Sequence, residues 1–287
     1  MDGTQPYTFQ TMIHKDDHDD FGGLQRDLSA TGAAIDRRSM LRLAARFGAG
    51  AGLFHLLGCG SAATAPTTGT TTTTTPPASG TCTRVPGETE GPFPGDGSNG
   101  PNVLNATGVV RGDIRTSFAG LNGTADGVPL TLVLTIVSAS TCAALAGRAV
   151  YVWHCDQVGR YSLYSQGATN QNYLRGTQET DANGRVTFTT IYPGCYAGRW
   201  PHIHFEVYPS LSAAVSVANK IATSQIALPK TSNDLVYATA GYGASIANQA
   251  QVSLATDNVF SDGSALELAT VTGSVAGGLT ATLSVAV

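Results

Sequence analysis

Leucine, valine and isoleucine alternate with threonine between Val128 and Ser138, and Arg148–Cys155 and Arg185–Ile191 repeat the same mixture of β-branched and aromatic residues. Successive side chains of an extended chain point to opposite faces, so these three segments are predicted strands with one face turned to a core. Pro201–Tyr208 forms a fourth predicted strand and Ala281–Val287 a last one. Asp181-Ala182-Asn183-Gly184 supplies a turn before the third strand and Pro193-Gly194 another after it. Ser210–Lys220 reads as a short helix capped by Ser210. Strands and helices do not alternate, which predicts a mainly β fold: an antiparallel β-sandwich with long loops and few short helices.

The pattern is different before Cys82. Residues 1–35 are polar and acidic, with no period that would place them in a core, and read as a disordered leader. Residues 36–59 begin Asp36-Arg37-Arg38-Ser39-Met40-Leu41-Arg42 and continue through a mostly apolar stretch to Leu56-Leu57-Gly58-Cys59. That order predicts a twin-arginine export signal with a lipobox-like end, in which Cys59 carries a lipid. The apolar stretch contains Arg46 and is shorter than the roughly 20 residues of a spanning helix. Residues 60–81 are almost entirely Thr, Ala, Gly, Ser and Pro and predict a flexible tether. The expected location is therefore the cell envelope, as a lipoprotein anchored to a membrane surface, or the extracellular space. Residues 82–287 remain as one folded domain, large enough for a single core.

Composition narrows the partners. Of the 287 residues only 13% are charged and the net charge is -4. No Lys/Arg cluster in the folded part would follow a phosphate backbone, so nucleic acid is not expected as a partner. Cys82, Cys142, Cys155 and Cys195 form an even set in an oxidising compartment, which predicts two disulfides with three possible pairings. All three methionines precede the tether, which argues against thioether-based copper handling. The folded part keeps only His154, His202 and His204 for imidazole chemistry.

His202 and His204 are two apart on a predicted strand, so their imidazoles leave one face about 7 Å apart along the chain and can meet one metal. Ile203 and Phe205 take the opposite face. Tyr196, after the Pro193-Gly194 turn, and Tyr161, in the loop after His154-Cys155, can approach the same place. Tyrosinate oxygens are hard anionic donors, and two of them beside two imidazoles favour a trivalent ion over Zn²⁺ or Cu(I). Fe(III) is the expected occupant. Glu206 shares the histidine face but lies two residues further from the centre than His204. His154 is expected to be a hydrogen-bonded structural residue. Tyr151 and Tyr173 are expected to pack, and Tyr164 and Tyr192 are candidates to touch a substrate.

Gly159-Arg160-Tyr161, the run Phe188-Thr189-Thr190-Ile191-Tyr192-Pro193-Gly194-Cys195-Tyr196, and Arg199-Trp200-Pro201-His202-Ile203-His204-Phe205 together resemble the intradiol ring-cleavage dioxygenases, the family of protocatechuate and catechol dioxygenases. Glu88-Thr89-Glu90-Gly91-Pro92-Phe93 resembles the opening segment of that family. The similarity covers roughly residues 82–228 and is closest to a compact secreted branch. It implies Tyr161 and His202 as equatorial ligands of Fe(III), Tyr196 and His204 as axial ones, and hydroxide as the fifth. It further implies a catechol-type substrate and O2, ring cleavage between the two hydroxyl-bearing carbons, Arg199 as the stabiliser of developing negative charge, and Gln225 as an outer partner.

Only Ala197 and Gly198 separate Tyr196 from Arg199, where the familiar cytoplasmic members carry a longer loop, and residues after Asn233 match no part of the family. The identity of the catechol and the state of homo-oligomerisation are left open by the residues. Two rival readings remain: a non-catalytic envelope β-sandwich that binds a partner, and a His-based Zn or Cu protein.

Overall fold

The computed structural model describes residues 81–287; the predicted leader, export signal and Cys59 lie outside the described residues, as does the tether apart from Thr81. Eight strands form two four-stranded sheets. The strands are β1 Pro129–Val137, β2 Ala149–Trp153, β3 Arg175–Glu179, β4 Arg185–Ile191, β5 His202–Tyr208, β6 Ala222–Ala227, β7 Thr270–Ser274 and β8 Gly278–Ala286. Their order is β4-β1-β8-β7 in one sheet and β3-β2-β5-β6 in the other. All pairings are antiparallel except β1 with β8, which run parallel, Leu130 opposite Leu279. The domain is thus a mainly β sandwich with one parallel strand pair, made by a last strand that returns beside the first.

The predicted period of two is what closes the sandwich. Leu130, Leu132, Leu134 and Ile136 of β1, with Val186 and Phe188 of β4, face Val150 and Val152 of β2 and Ile203, Phe205 and Val207 of β5 in one core. Each such side chain removed from water contributes about 1.5–3 kcal/mol. A second apolar cluster lies on the far side of the β2–β5 sheet, where Tyr151, Trp153 and Tyr208 are covered by Val103, Leu104, Val109 and Phe118. Both faces of that sheet are therefore buried.

Three strands escape the alternation rule. β3 reads Arg-Gly-Thr-Gln-Glu, with no apolar residue, and is held instead by its β2 partner and by Arg111, which donates from Nε to the Arg175 carbonyl at 3.0 Å. β6 and β7 are rich in Ala, Thr, Ser and Gly and form as partners of β5 and β8. The predicted helix over Ser210–Lys220 is not one: residues 211–215 are turns and only Val217–Asn219 makes a 3-10 turn. Ala213 and Ala214 do bond back to the Ser210 carbonyl, but Ser216 is extended, at φ -147 and ψ 132, and stops propagation. The helices lie further on, α1 Lys230–Tyr237 and α2 Gly243–Gln249. Among the described residues no helix is long and apolar enough to cross a membrane.

One disulfide forms rather than the two expected. Cys82 and Cys142 are joined, which pins the start of the domain to the β1–β2 turn, while Cys155 and Cys195 are buried free thiols. Each of these thiols is turned to a backbone carbonyl, Cys155 to Gly194 and Cys195 to Arg199, both at 3.4 Å.

Candidate metal centre

Strand register sets the floor of the site. Arg175, Trp153, His204 and Gln225 are neighbours across β3, β2, β5 and β6, so their side chains form a row on the outer face of one sheet. Trp153 stacks on the His204 imidazole at 4.8 Å and 7°, which fixes the ring plane. His202 precedes it on the same face, and its Nδ1 donates to the Trp200 carbonyl. With that nitrogen occupied by its proton, the Nε2 lone pair is the one left free to bind an ion.

Two loops bring the phenols over this floor. Gly159 adopts φ +89, and a Cβ there would stand 3.0 Å from Tyr196 Cβ; a Cβ on Gly194 would stand 2.6 Å from the Gln157 carbonyl oxygen. Only glycine lets the Tyr161 loop and the Tyr196 segment approach this closely. α2 completes the fixation, since Ser245 Oγ accepts from Cys195 N at 2.9 Å and Asn248 Nδ2 donates to the Cys195 carbonyl at 2.8 Å. Phe93, from the opening segment, lies 5.0 Å from the Tyr161 ring.

The four side chains converge. His202 Nε2 lies 3.3 Å from Tyr161 Oη, 3.3 Å from Tyr196 Oη and 3.1 Å from His204 Nε2. Two donors each about 2.1 Å from one ion and at right angles to each other stand about 3 Å apart, so this spacing fits ligands that share a metal. Tyr161, His202 and His204 are buried and Tyr196 is partly buried. Burial holds the Tyr161 hydroxyl well above its usual range, with Tyr196 adding to the rise, and pushes Tyr196 up to about 12 against the pull of Arg199. Burial also lowers His202 to about 3, helped by the Arg199 charge, and lowers His204 well below the usual range, helped by His202. Left to itself the cluster is four neutral donors; a highly charged cation reverses that preference for the phenols, because the ion is then the largest local charge. No three His, Cys, Asp or Glu side chains among the described residues stand close enough together to hold an ion.

Arg199 is buried, and its guanidinium is held through Nε and Nη2. Nε donates to Asp257 Oδ2 at 3.0 Å, and Nη2 donates to Gln225 Oε1 at 2.6 Å. Gln225 in turn donates from Nε2 to the Thr89 carbonyl at 2.9 Å, which ties the opening segment to the site. Asp257 and Phe260, whose ring centroid is 6.5 Å from that of His202, come from the region beyond Asn233 and were not foreseen. Their only signal is local: Asp257 accepts from Val259 N and Phe260 N, a turn-capping pattern that says nothing of Arg199.

The remaining candidates separate cleanly. His154 is a buried structural residue, with Nδ1 at 2.8 Å from the Cys155 carbonyl and Nε2 at 2.7 Å from Thr190 Oγ1. Glu206 bonds Tyr208 and Lys220 at 2.6 and 3.0 Å, apart from the four donors. Tyr192 is no substrate contact, because it is fully buried and bonds Ser232 and Asn233 of α1. Tyr164 is nearer to the centre, its ring 5.3 Å from that of Phe93.

Residues 99–203 match a family model described as a dioxygenase, a span that includes Tyr161, Tyr196, Arg199 and His202. A search of curated proteins finds no match. Among solved structures, an intradiol ring-cleavage dioxygenase from Tetranychus urticae is similar at 24% identity and TM-score 0.56, over 71% of this chain and 94% of that one. A second dioxygenase crystal structure is similar at 24% identity and TM-score 0.57, over the same shares of the two chains. The dioxygenase domain of a dioxygenase–carbohydrate-binding protein fusion from Streptomyces sp. SirexAA-E is similar at 23% identity and TM-score 0.44, over 71% of this chain and 98% of that one.

Proposed function

We propose that this chain, which matches the intradiol ring-cleavage dioxygenases in a family segment and in fold, is a non-haem Fe(III) enzyme that cleaves catechol-type aromatic diols with O2. The carbon–carbon bond between the two hydroxyl-bearing carbons breaks, and both atoms of O2 enter the resulting muconate-type diacid. The observation that carries this reading is the meeting of Tyr161, Tyr196 and His204 on His202 Nε2 within 3.1–3.3 Å. Two phenols with two imidazoles form a donor set suited to a hard trivalent ion rather than to Zn²⁺ or Cu(I).

When bound, Fe(III) supplies Lewis acidity that makes the ring of an ionised catechol reactive toward O2. The chain's own residues do the rest. Trp200 and Trp153 hold His202 and His204 in place, one through a carbonyl and one through ring stacking. Tyr161 is buried beneath Phe93 and serves as a fixed ligand. Tyr196, the partly buried member, takes a catechol proton at Oη. Arg199, kept in place by Gln225, offsets the negative charge that develops on the substrate, the usual work of a preorganised cation.

Oxygen uptake against a panel of catechols tests the activity, and reconstitution with ferric ion tests the site. The reconstituted protein should be red-brown from tyrosinate-to-iron charge transfer. A colourless, iron-free protein after reconstitution would sink the reading. The sequence of residues 36–59 supports export by the twin-arginine route and a lipid on Cys59. Cys59→Ser should then release the protein from the membrane fraction; unchanged sedimentation would count against the anchor.

A further inference from the structure

Asp257 lies outside the segment that matches the dioxygenase family model and is fully buried beside the four donors' supporting residues. Its Oδ2 accepts from Arg199 Nε at 3.0 Å and from Trp200 N at 2.7 Å. Its Oδ1 accepts from Val259 N at 2.8 Å, from Phe260 N at 3.1 Å and, more loosely, from Arg199 Nη2 at 3.4 Å. One carboxylate thus holds two groups of the site at once. The Trp200 backbone carries the second of them onward across its Cα, because its N–H is bound by Asp257 and its carbonyl is the acceptor for His202 Nδ1. The same contacts hold the Phe260 ring, whose centroid is 6.0 Å from the Arg199 guanidinium carbon and 6.5 Å from the His202 ring centroid.

We propose that Asp257 is a positioning residue of the metal site, acting through Arg199 to aim the guanidinium and through Trp200 to steady His202. The inference rests on the Fe(III) dioxygenase reading above. Its physical basis is twofold. A charged guanidinium buried without a carboxylate is costly and swings toward whatever anion is near, so its direction depends on its partner. Outer partners of metal ligands set ligand orientation, and their loss commonly lowers affinity or activity by about 10- to 100-fold. With only Ala197 and Gly198 between Tyr196 and Arg199, the local chain has no side chain to give this support. The C-terminal region provides it.

The test is a double-mutant cycle on the full-length ferric protein: parent, Asp257→Asn, Arg199→Gln and the double variant. Each is read by kcat and KM for catechol and by the visible absorption maximum of the catechol-bound form. A parent that takes up no iron and shows no band refutes the Fe(III) reading itself, before any variant is compared. With a coloured parent, Asp257→Asn should retain iron, lose about 10- to 100-fold in kcat with little change in KM, and shift the catechol-bound band. In the Arg199→Gln background the same substitution should cost less than in the parent, because the guanidinium it aims is gone and only the Trp200 contact is left to lose. An unchanged kcat in Asp257→Asn, or an equal loss in both backgrounds, overturns the proposal and leaves Asp257 a residue of general stability. If Asp257→Asn alone fails to fold, the double variant, which leaves no unpaired buried charge, is compared with Arg199→Gln. A further loss in kcat of less than about 10-fold supports the proposal, and one as large as the roughly 10- to 100-fold expected of Asp257→Asn overturns it.

Discussion

The two sheets obey the same rule on their inner faces and opposite rules on their outer ones. In the β4-β1-β8-β7 sheet the outward positions include Thr131, Thr135, Thr187, Thr280 and Thr282, partly or fully exposed, with Val133 the buried exception on β1. In the β3-β2-β5-β6 sheet the outward positions Arg175, Tyr151, Trp153, His202, His204, Glu206 and Gln225 are all buried, while Glu179 at the end of β3 is exposed and Thr223 near the start of β6 partly so. Burying polar groups costs several kcal/mol apiece unless they are partnered, so a chain tolerates such a face only where the partners are built as well. Here they are. Arg175 donates to the carbonyls of Phe93, Pro94 and Ser162, Gln225 bridges Arg199 and Thr89, and Glu206 meets Tyr208 and Lys220. One sheet is a wall against water; the other is a platform on which loops assemble a site.

The largest break in that contrast should come from the platform. His202→Ala is expected to remove the ferric charge-transfer band and to cut oxygen uptake by more than about 100-fold, since even outer partners of ligands reach that loss; near-wild-type uptake would mean the four donors are not the site. On the shared inner face, Leu132→Ala should destabilise the domain by roughly 2–5 kcal/mol, read as a lower midpoint in denaturant, while iron content per folded chain is unchanged. The Cys82–Cys142 link closes a sequence separation of 60 residues. Replacing Cys142 by Ser should cost roughly 2–4 kcal/mol, the usual worth of a native disulfide, and leave the colour intact.

A smaller effect is expected in the dependence of stability on pH. Burial raises the Glu267 carboxyl to about 7, with Ser224 on β6 opposing the rise and Glu88 and Asp262 adding to it. A folded-state value above the unfolded one means that the native protein holds the proton between about 4.5 and 7. Stability is then greatest below that window and declines as pH rises through it. Glu267→Gln should flatten the slope of the unfolding midpoint between pH 5 and about 7; an unaltered slope would remove Glu267 as its source. The smallest change belongs to the wall: Thr282→Ala, exposed on β8, should shift stability by no more than about 0.5 kcal/mol and leave turnover alone.

Much of this was legible in the residues taken alone. The alternation in β1, β2, β4, β5 and β8 determined the strands and which side chains face the core, because burial of every second residue needs no knowledge of the partner strand. The spacing of His202 and His204 determined that two imidazoles share a face, and the glycine-bearing turns before Tyr161 and Tyr196 allowed both phenols to reach it. Gln225 was legible only through its family resemblance.

Tertiary structure alone decided the rest. β3 has no apolar residue and exists because β2 and Arg111 satisfy its backbone. The pairing of Cys82 with Cys142 depends on where the β1–β2 turn brings distant chain, a distance that no residue spacing encodes. Asp257 shows the reason most sharply. Its local pattern is that of a turn cap, and its partner Arg199 is 58 residues away in sequence. A carboxylate carries no mark of which buried cation it will meet; only the path of the folded chain brings the two within 3.0 Å.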